Sequence, residues 1–178
     1  KREGVPVRVL SRHMPYPFKN RLGSLLYSKL FTRIVTVSNS VRNTLVGCGI
    51  PPGQVEVIHH GTDVEAFARP TPSVKDARQV LGIPADRVDV GIVGRIAPEK
   101  GHQVLLQAAQ SLGDRYPVQY VVIGSGPDDA KMRESARQMG LQDRVLFTGF
   151  RDDVNNAMSA LDIVTVPSTW NEPCSAVA

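Results

Sequence analysis

The chain has 178 residues, 42% of them hydrophobic, with a formal net charge of +4. That apolar content is enough to bury a core in one or two domains and excludes a disordered chain. Lys and Arg are dispersed, with no run of five or six like charges, which favours phosphate groups or an anionic membrane surface as partners and argues against a dedicated nucleic-acid stripe. In chain order, Val5 to Leu10 reads as a strand, Arg21 to Phe31 as a helix, Arg33 to Val37 as a strand, Ser40 to Val46 as a helix and Val55 to Ile58 as a strand. A turn at Gly61-Thr62-Asp63 follows. The Pro-containing stretch Arg69-Pro-Thr-Pro-Ser then reads as a linker between two lobes, before a short helix ending at Gly82.

From Arg87 onward strand and helix alternate. The strands are Val88 to Val93, Val118 to Ile123, Val145 to Thr148 and Ile163 to Val166; the helices run over about 100–112, 127–139 and 151–160, with Gly113 and Gly140 as stops. Such alternation predicts a parallel sheet covered on both faces, an α/β fold. On the first of these helices Gln103, Gln107 and Gln110 share one face and Val104, Leu105, Ala108, Ala109 and Leu112 the other, so the latter are assigned to the core. His102, on the first turn, is expected to be exposed.

Three strand ends carry the chemistry. Val93-Gly-Arg-Ile-Ala-Pro-Glu-Lys-Gly101 places two cations, Arg95 and Lys100, in a glycine-bounded turn before a helix, where unpaired N–H groups and the helix dipole already favour an anion. A blander reading, with Lys100 solvated and Arg95 capping a carbonyl, stays open for this segment alone. Val121-Val-Ile-Gly124-Ser-Gly126-Pro127 is a second strand ending in a glycine turn, and Pro127 suits the first position of a helix. A third strand stops at Pro167 and delivers Ser168 and Glu172 to a loop. Ligands of open parallel sheets sit outside the carboxyl ends of the strands, so the three loops are expected to converge on one crevice.

Other chemistries fit poorly. Gly124-Ser-Gly126 lacks the third glycine of G-x-G-x-x-G, whose place Asp129 takes, and no acidic residue stands at the end of the next strand to bind a ribose. Lys100-Gly101 reverses the Walker order, and no G-x-S-x-G elbow is present. Cys48 and Cys174 have no close partner at zinc-ligand spacing and read as reduced cytosolic thiols. Adjacent His59 and His60 point to opposite faces of an extended segment and cannot share a metal; they read as turn residues. His13 lies on a loop at a strand's carboxyl end, where a packing role and an active-site role are both open. No apolar run approaches the roughly 18–20 residues that span a bilayer. Both ends leave elements without covering partners, the mark of an excerpt from a longer chain.

Taken together, these segments resemble the retaining, nucleotide-sugar-dependent glycosyltransferases of the GT-B fold, of group 1 or family 4 type. The matching motifs are Val35-Thr-Val-Ser38; His60-Gly-Thr-Asp63 before Phe67; Val93-Gly-Arg95 to Lys100-Gly101; Ile123-Gly-Ser-Gly126; Val145-Leu-Phe-Thr-Gly149-Phe; and Pro167-Ser168 to Glu172-Pro173. The resemblance implies Rossmann-like parallel sheets in two lobes. Residues 1–63 would belong to the N-terminal, acceptor lobe and 64–178 to a truncated C-terminal lobe that binds the donor nucleotide.

It further implies transfer of a hexose from a UDP- or GDP-linked sugar to a hydroxyl of a glycan or lipid-linked saccharide, with retention of configuration. The work would be done in the cytoplasm or by peripheral contact at the inner membrane face, with no metal, no cofactor and no nucleic acid. Arg95 and Lys100 match the basic pair on the donor diphosphate. His13 matches a histidine near the transferred sugar. Gly94, Gly124, Gly126, Ser168, Cys174 and Ser175 fall at donor-binding positions, and Glu172 matches the first glutamate of E-x7-E, whose second would fall two positions beyond Ala178. Departures are His60, where relatives usually have Asn, and Ser175, where many have Gly. The alternatives are a catalytically silent nucleotide-binding fragment, and a phosphosugar epimerase of related fold, which would need further acid-base residues.

Overall fold

A computed structural model describes residues 4–65, 74–84 and 86–170. The chain divides after Thr62 into two units.

In the first unit three parallel strands, β1 (Val9–Arg12), β2 (Arg33–Thr36) and β3 (Val55–Val57), pair in the order β1-β2-β3. Helices α1 (Arg21–Leu30) and α2 (Asn39–Gly47) connect them. The side chain of Asn20 accepts the Gly23 N–H at 2.9 Å and that of Ser38 accepts the Val41 N–H at 3.4 Å, capping the two helix starts. Ile34, Leu45, Ile50 and Val55 form the core, with Leu10, Phe18, Tyr27 and Phe31 packed against it. The first strand begins at Val9 and runs to Arg12, later than its expected start at Val5: Pro6 has no N–H for a ladder, and Val5 and Val7 are exposed.

The second unit holds a four-stranded parallel sheet in the order β6-β5-β4-β7, built from β4 (Val88–Val93), β5 (Val118–Ile123), β6 (Val145–Gly149) and β7 (Ile163–Thr165). Its helices are α3 (Val74–Leu81), α4 (His102–Leu112), α5 (Asp129–Gln138) and α6 (Val154–Ser159). The central strand β5 is buried on both faces. Tyr120 and Val122 join Leu105, Leu106 and Ala109 of α4 and Met132 and Ala136 of α5 on one side. Val121 and Ile123 join Ala77, Leu81, Ala157 and Ala160 on the other. Each buried Val, Leu, Ile or Met side chain among them contributes roughly 1.5–3 kcal/mol relative to exposure. The outer strand β7 is less covered, with Ile163 and Val164 exposed.

A buried ion pair ties α3 to the sheet. Asp89 on β4 is fully buried against the Arg78 guanidinium, which also reaches Asp162 at 3.3 Å and the Arg87 carbonyl at 3.0 Å. Asp162 in turn accepts the Asp89 N–H at 2.8 Å.

Helix starts lie later than the spacing predicts. A single 3-10 turn, Pro98–Lys100, precedes α4, and left-handed Gly101 (φ +76°) separates the two, so the α-helix begins at His102. Likewise α5 begins at Asp129 and α6 at Val154, leaving Pro127 and Arg151 in the preceding loops. Residues 102, 105, 106 and 109 form the buried stripe of α4, whereas Val104, Ala108 and Leu112, also assigned to the core, are exposed. The stripe is rotated by about one residue from the expected one.

Candidate functional site

The strand order β6-β5-β4-β7 reverses at β4: the chain steps outward through β5 and β6, then returns to the other side of β4. The loops leaving the carboxyl ends of neighbouring strands diverge at such a point and open a crevice. Here they are also stitched together. Gly94 N–H binds the Ile123 carbonyl at 2.9 Å, Ile96 N–H the Ser125 carbonyl at 3.0 Å, Gly124 N–H the Gly149 carbonyl at 2.9 Å and Thr169 N–H the Glu99 carbonyl at 3.0 Å.

Side chains would not fit between these loops. A Cβ on Gly124 would lie 2.0 Å from the Gly94 oxygen, and one on Gly126 would lie 2.2 Å from the Ile96 oxygen. A Cβ on Gly101 would lie 1.9 Å from the Pro167 oxygen. All three glycines thus allow backbone to approach backbone. Where β6 ends, a register irregularity between Val122 and Ile123 of β5 sets Gly149 opposite Ile123. Gly149 has φ +76°, and the turn there re-aims the chain so that Phe150 and Arg151 reach the crevice.

The crevice is a cavity of about 350 Å³ lined by Val93, Gly94, Arg95, Ile123, Gly124, Ser125, Phe150, Arg151 and Val154. Its walls are mostly apolar, with two guanidinium groups at the lining. Arg95 is 65% exposed and donates to Glu99 Oε1 at 2.8 Å, an i,i+4 pair. A backbone hydrogen bond first, and then the bond from Arg95, hold the Glu99 carboxyl below its usual range, so it stays ionised and steers the guanidinium. Arg151 is held by a two-pronged pair with Asp153, both contacts 2.7 Å, which lowers the Asp153 carboxyl and keeps the cation charged. Lys100 ends the 3-10 turn, half-buried, and is not among the lining residues.

Of the residues singled out in the sequence, Gly94, Arg95 and Gly124 line this cavity, and Gly126 supports it beneath Ile96. Ser168 sits half-buried in the loop after β7, beside Thr169, which is bonded to the Lys100 turn. Glu172, Cys174 and Ser175 lie outside the described residues. In the first unit, His13 follows β1, with Ser11 Oγ 2.9 Å from its Nε2 and the His60 ring 5.2 Å away. His59 instead meets the Val37 carbonyl through Nδ1 at 3.1 Å, so the two adjacent imidazoles diverge as expected.

His102 overturns its assignment as an exposed residue: it is 3% exposed, because position 102 falls on the same stripe as Leu105, Leu106 and Ala109. Phe150, Arg151, Ser125 and Val154 were missed as lining residues. The sequence offered only a partial signal, an aromatic placed directly after a strand-ending glycine; the structure leaves Phe150 72% exposed there. Among the described residues no group of three or more His, Cys, Asp or Glu side chains could hold a metal ion, and no helix is long and apolar enough to cross a membrane.

A reversal-point crevice with fixed cations and an aromatic at its lining defines an α/β protein suited to an anionic, ring-bearing ligand. More narrowly, the chain belongs to the group 1 glycosyltransferases, whose sequence profile matches residues 73–178, while that of glycosyltransferase family 4 matches residues 1–66. Bacillus subtilis (strain 168) EpsF is 30% identical over 94% of this chain and 46% of its own length. The 2-deoxystreptamine N-acetyl-D-glucosaminyltransferase of Streptomyces fradiae is 40% identical over 62% of this chain and 27% of its own. Anabaena Alr3699/HepE, solved in complex with UDP-glucose, superposes with a TM-score of 0.80 at 25% identity, covering 96% of this chain and 50% of that one. The fold is therefore the α/β arrangement of GT-B glycosyltransferases. The chain spans about half the length, or less, of the relatives it matches.

Proposed function

We propose that this chain binds the diphosphate of a UDP- or GDP-linked hexose on the loop carrying Arg95 and Lys100, as the donor half of a retaining glycosyltransferase. The observation that carries this reading is the cavity at the strand-order reversal, where the Gly94, Gly124 and Gly149 loops meet and Arg95 stands at the lining. Its apolar walls, Val93, Ile123, Phe150 and Val154, suit a nucleobase, with the diphosphate lying toward Gly94 and Arg95 at the lining. As the sugar–phosphate bond breaks, negative charge grows on the leaving oxygen. Fixed cations in a preorganised turn stabilise it, and losing one such donor typically costs about 3 kcal/mol, roughly a hundredfold in rate.

His13 is assigned to the transferred sugar, and Ser168, Glu172, Cys174 and Ser175 to further donor contacts. The acceptor is a glycan or lipid-linked saccharide hydroxyl, met in the cytoplasm or at the inner membrane face. A second reading is favoured by the chain's half-length match to its relatives: it binds nucleotide but transfers nothing by itself. Two measurements on this chain separate these: calorimetry with UDP, GDP and ADP reads donor binding, and a donor-hydrolysis and transfer assay reads turnover, binding without either favouring the second reading. In the full-length enzyme the same transfer assay reads the two cations. Arg95→Ala and Lys100→Ala should each lower turnover about a hundredfold; normal rates in both would refute the catalytic assignment.

A further inference from the structure

His102 opens α4 directly behind the Lys100 turn, and at 3% exposure it is among the buried polar residues of the chain. Neither Nδ1 nor Nε2 has a hydrogen-bond partner among the described residues. A neutral imidazole always presents one donor and one acceptor, and each buried polar atom left unpaired costs about 1–3 kcal/mol. A leucine would fill the same place on the stripe with Leu105, Leu106 and Ala109 at no such cost, so a buried histidine here calls for an explanation.

The charges acting on the ring supply one. Burial most of all, then the Lys100 ammonium, hold its affinity for protons below that of an ordinary imidazole, while Asp128 acts in the opposite sense. Asp128 enters from the turn before α5, and its N–H is bound to the Ile96 carbonyl at 3.2 Å, which fixes it to the loop that also carries Lys100. The positive end of the α4 dipole likewise disfavours an imidazolium at its first residue. An anion docked on this turn would offset both Lys100 and the helix end at once, leaving Asp128 to stabilise a charged ring.

We propose that His102 takes up a proton from solvent when the donor diphosphate docks on the Arg95–Lys100 loop, so that donor binding is coupled to the charging of a buried imidazole. The inference rests on the diphosphate reading above. It makes donor affinity rise as pH falls from about 8 toward 6. A purely structural histidine would leave affinity flat over that range.

The test is calorimetric titration of the chain with UDP-glucose and GDP-mannose, whose pyrophosphate diesters carry no group that titrates near neutrality. Each titration is repeated in buffers of different ionisation enthalpy at about pH 6.5 and pH 8. The expected result is a net uptake of a fraction of a proton per ligand near pH 6.5, vanishing by pH 8. It should be absent from His102→Leu and His102→Gln, which keep the ligand bound. Either variant suffices if the other fails to fold. Binding without uptake, or uptake unchanged in a folded His102 variant, overturns the inference and leaves the diphosphate reading standing. Failure of both donors to bind the wild-type chain overturns the two together.

Discussion

Gly82 and Gly101 make a matched pair for testing how tightly the loop after β4 is seated. Both are left-handed, with φ +70° and +76°, so an added Cβ costs each about 1 kcal/mol in backbone strain. They differ in what that Cβ would meet: open space at Gly82, and at Gly101 the Pro167 carbonyl, with its oxygen 1.9 Å and its carbon 2.6 Å away. Neither contact can be relieved by rotating a side chain, so the loop after β4 must part from the loop after β7. Overpacking of this kind typically adds 1–3 kcal/mol. Gly101→Ala is therefore expected to cost about 2–4 kcal/mol and Gly82→Ala about 1 kcal/mol. At roughly 2–4 °C per kcal/mol for a chain of this size, the melting temperatures should fall by about 4–16 °C and 2–4 °C respectively. Circular dichroism melts read the first effect. Calorimetry with UDP reads the second, which is lost affinity in Gly101→Ala and unchanged affinity in Gly82→Ala. Equal melting shifts, or full UDP affinity in Gly101→Ala, would refute the claim that this glycine seats the Lys100 turn against Pro167.

Phe150 is 72% exposed at the cavity lining, so Phe150→Ala should leave the melting temperature unchanged while weakening UDP binding by about 1–3 kcal/mol, roughly 5- to 150-fold by calorimetry. Asp89→Ala strands the Arg78 guanidinium beside the sheet; urea denaturation should show a loss of about 3 kcal/mol, near the low end for a broken buried pair because Asp162 and the Arg87 carbonyl remain. Because the folded state holds His102 below the ordinary value of 6.5, the unfolded chain binds more protons as the medium is acidified. The His102 contribution is thus fully present above pH 6.5 and is lost as pH falls below it. Denaturant melts across that range should show a slope that His102→Leu flattens.

The parallel sheet of the second unit was legible because Tyr120 to Ile123 of β5 form an unbroken apolar run ending at Gly124, and a strand covered on both faces can place apolar residues on successive positions. The loop cluster was legible for a related reason: Gly101, Gly124 and Gly126 mark places where only backbone fits. Helix starts were harder to read. A 3-10 turn and a left-handed glycine precede α4, and the shift of phase from residue 100 to 102 moved His102 from the surface into the core. Phe150 was hidden for another reason. Its place at the cavity depends on the irregularity that closes the β5–β6 ladder, and a register is a property of two strands that neither strand's own pattern carries. The first unit's opening strand was misplaced because Val5 and Val7 carry strand propensity without a partner to pair with.

The most direct measurement compares UDP with uridine on the wild-type chain and on Arg95→Ala/Lys100→Ala. If the two cations hold the diphosphate, the wild type binds UDP far more tightly than uridine, and the double variant binds uridine unchanged but UDP no better than uridine. Equal preference for UDP in both proteins would contradict the assignment of Arg95 and Lys100 to the phosphates.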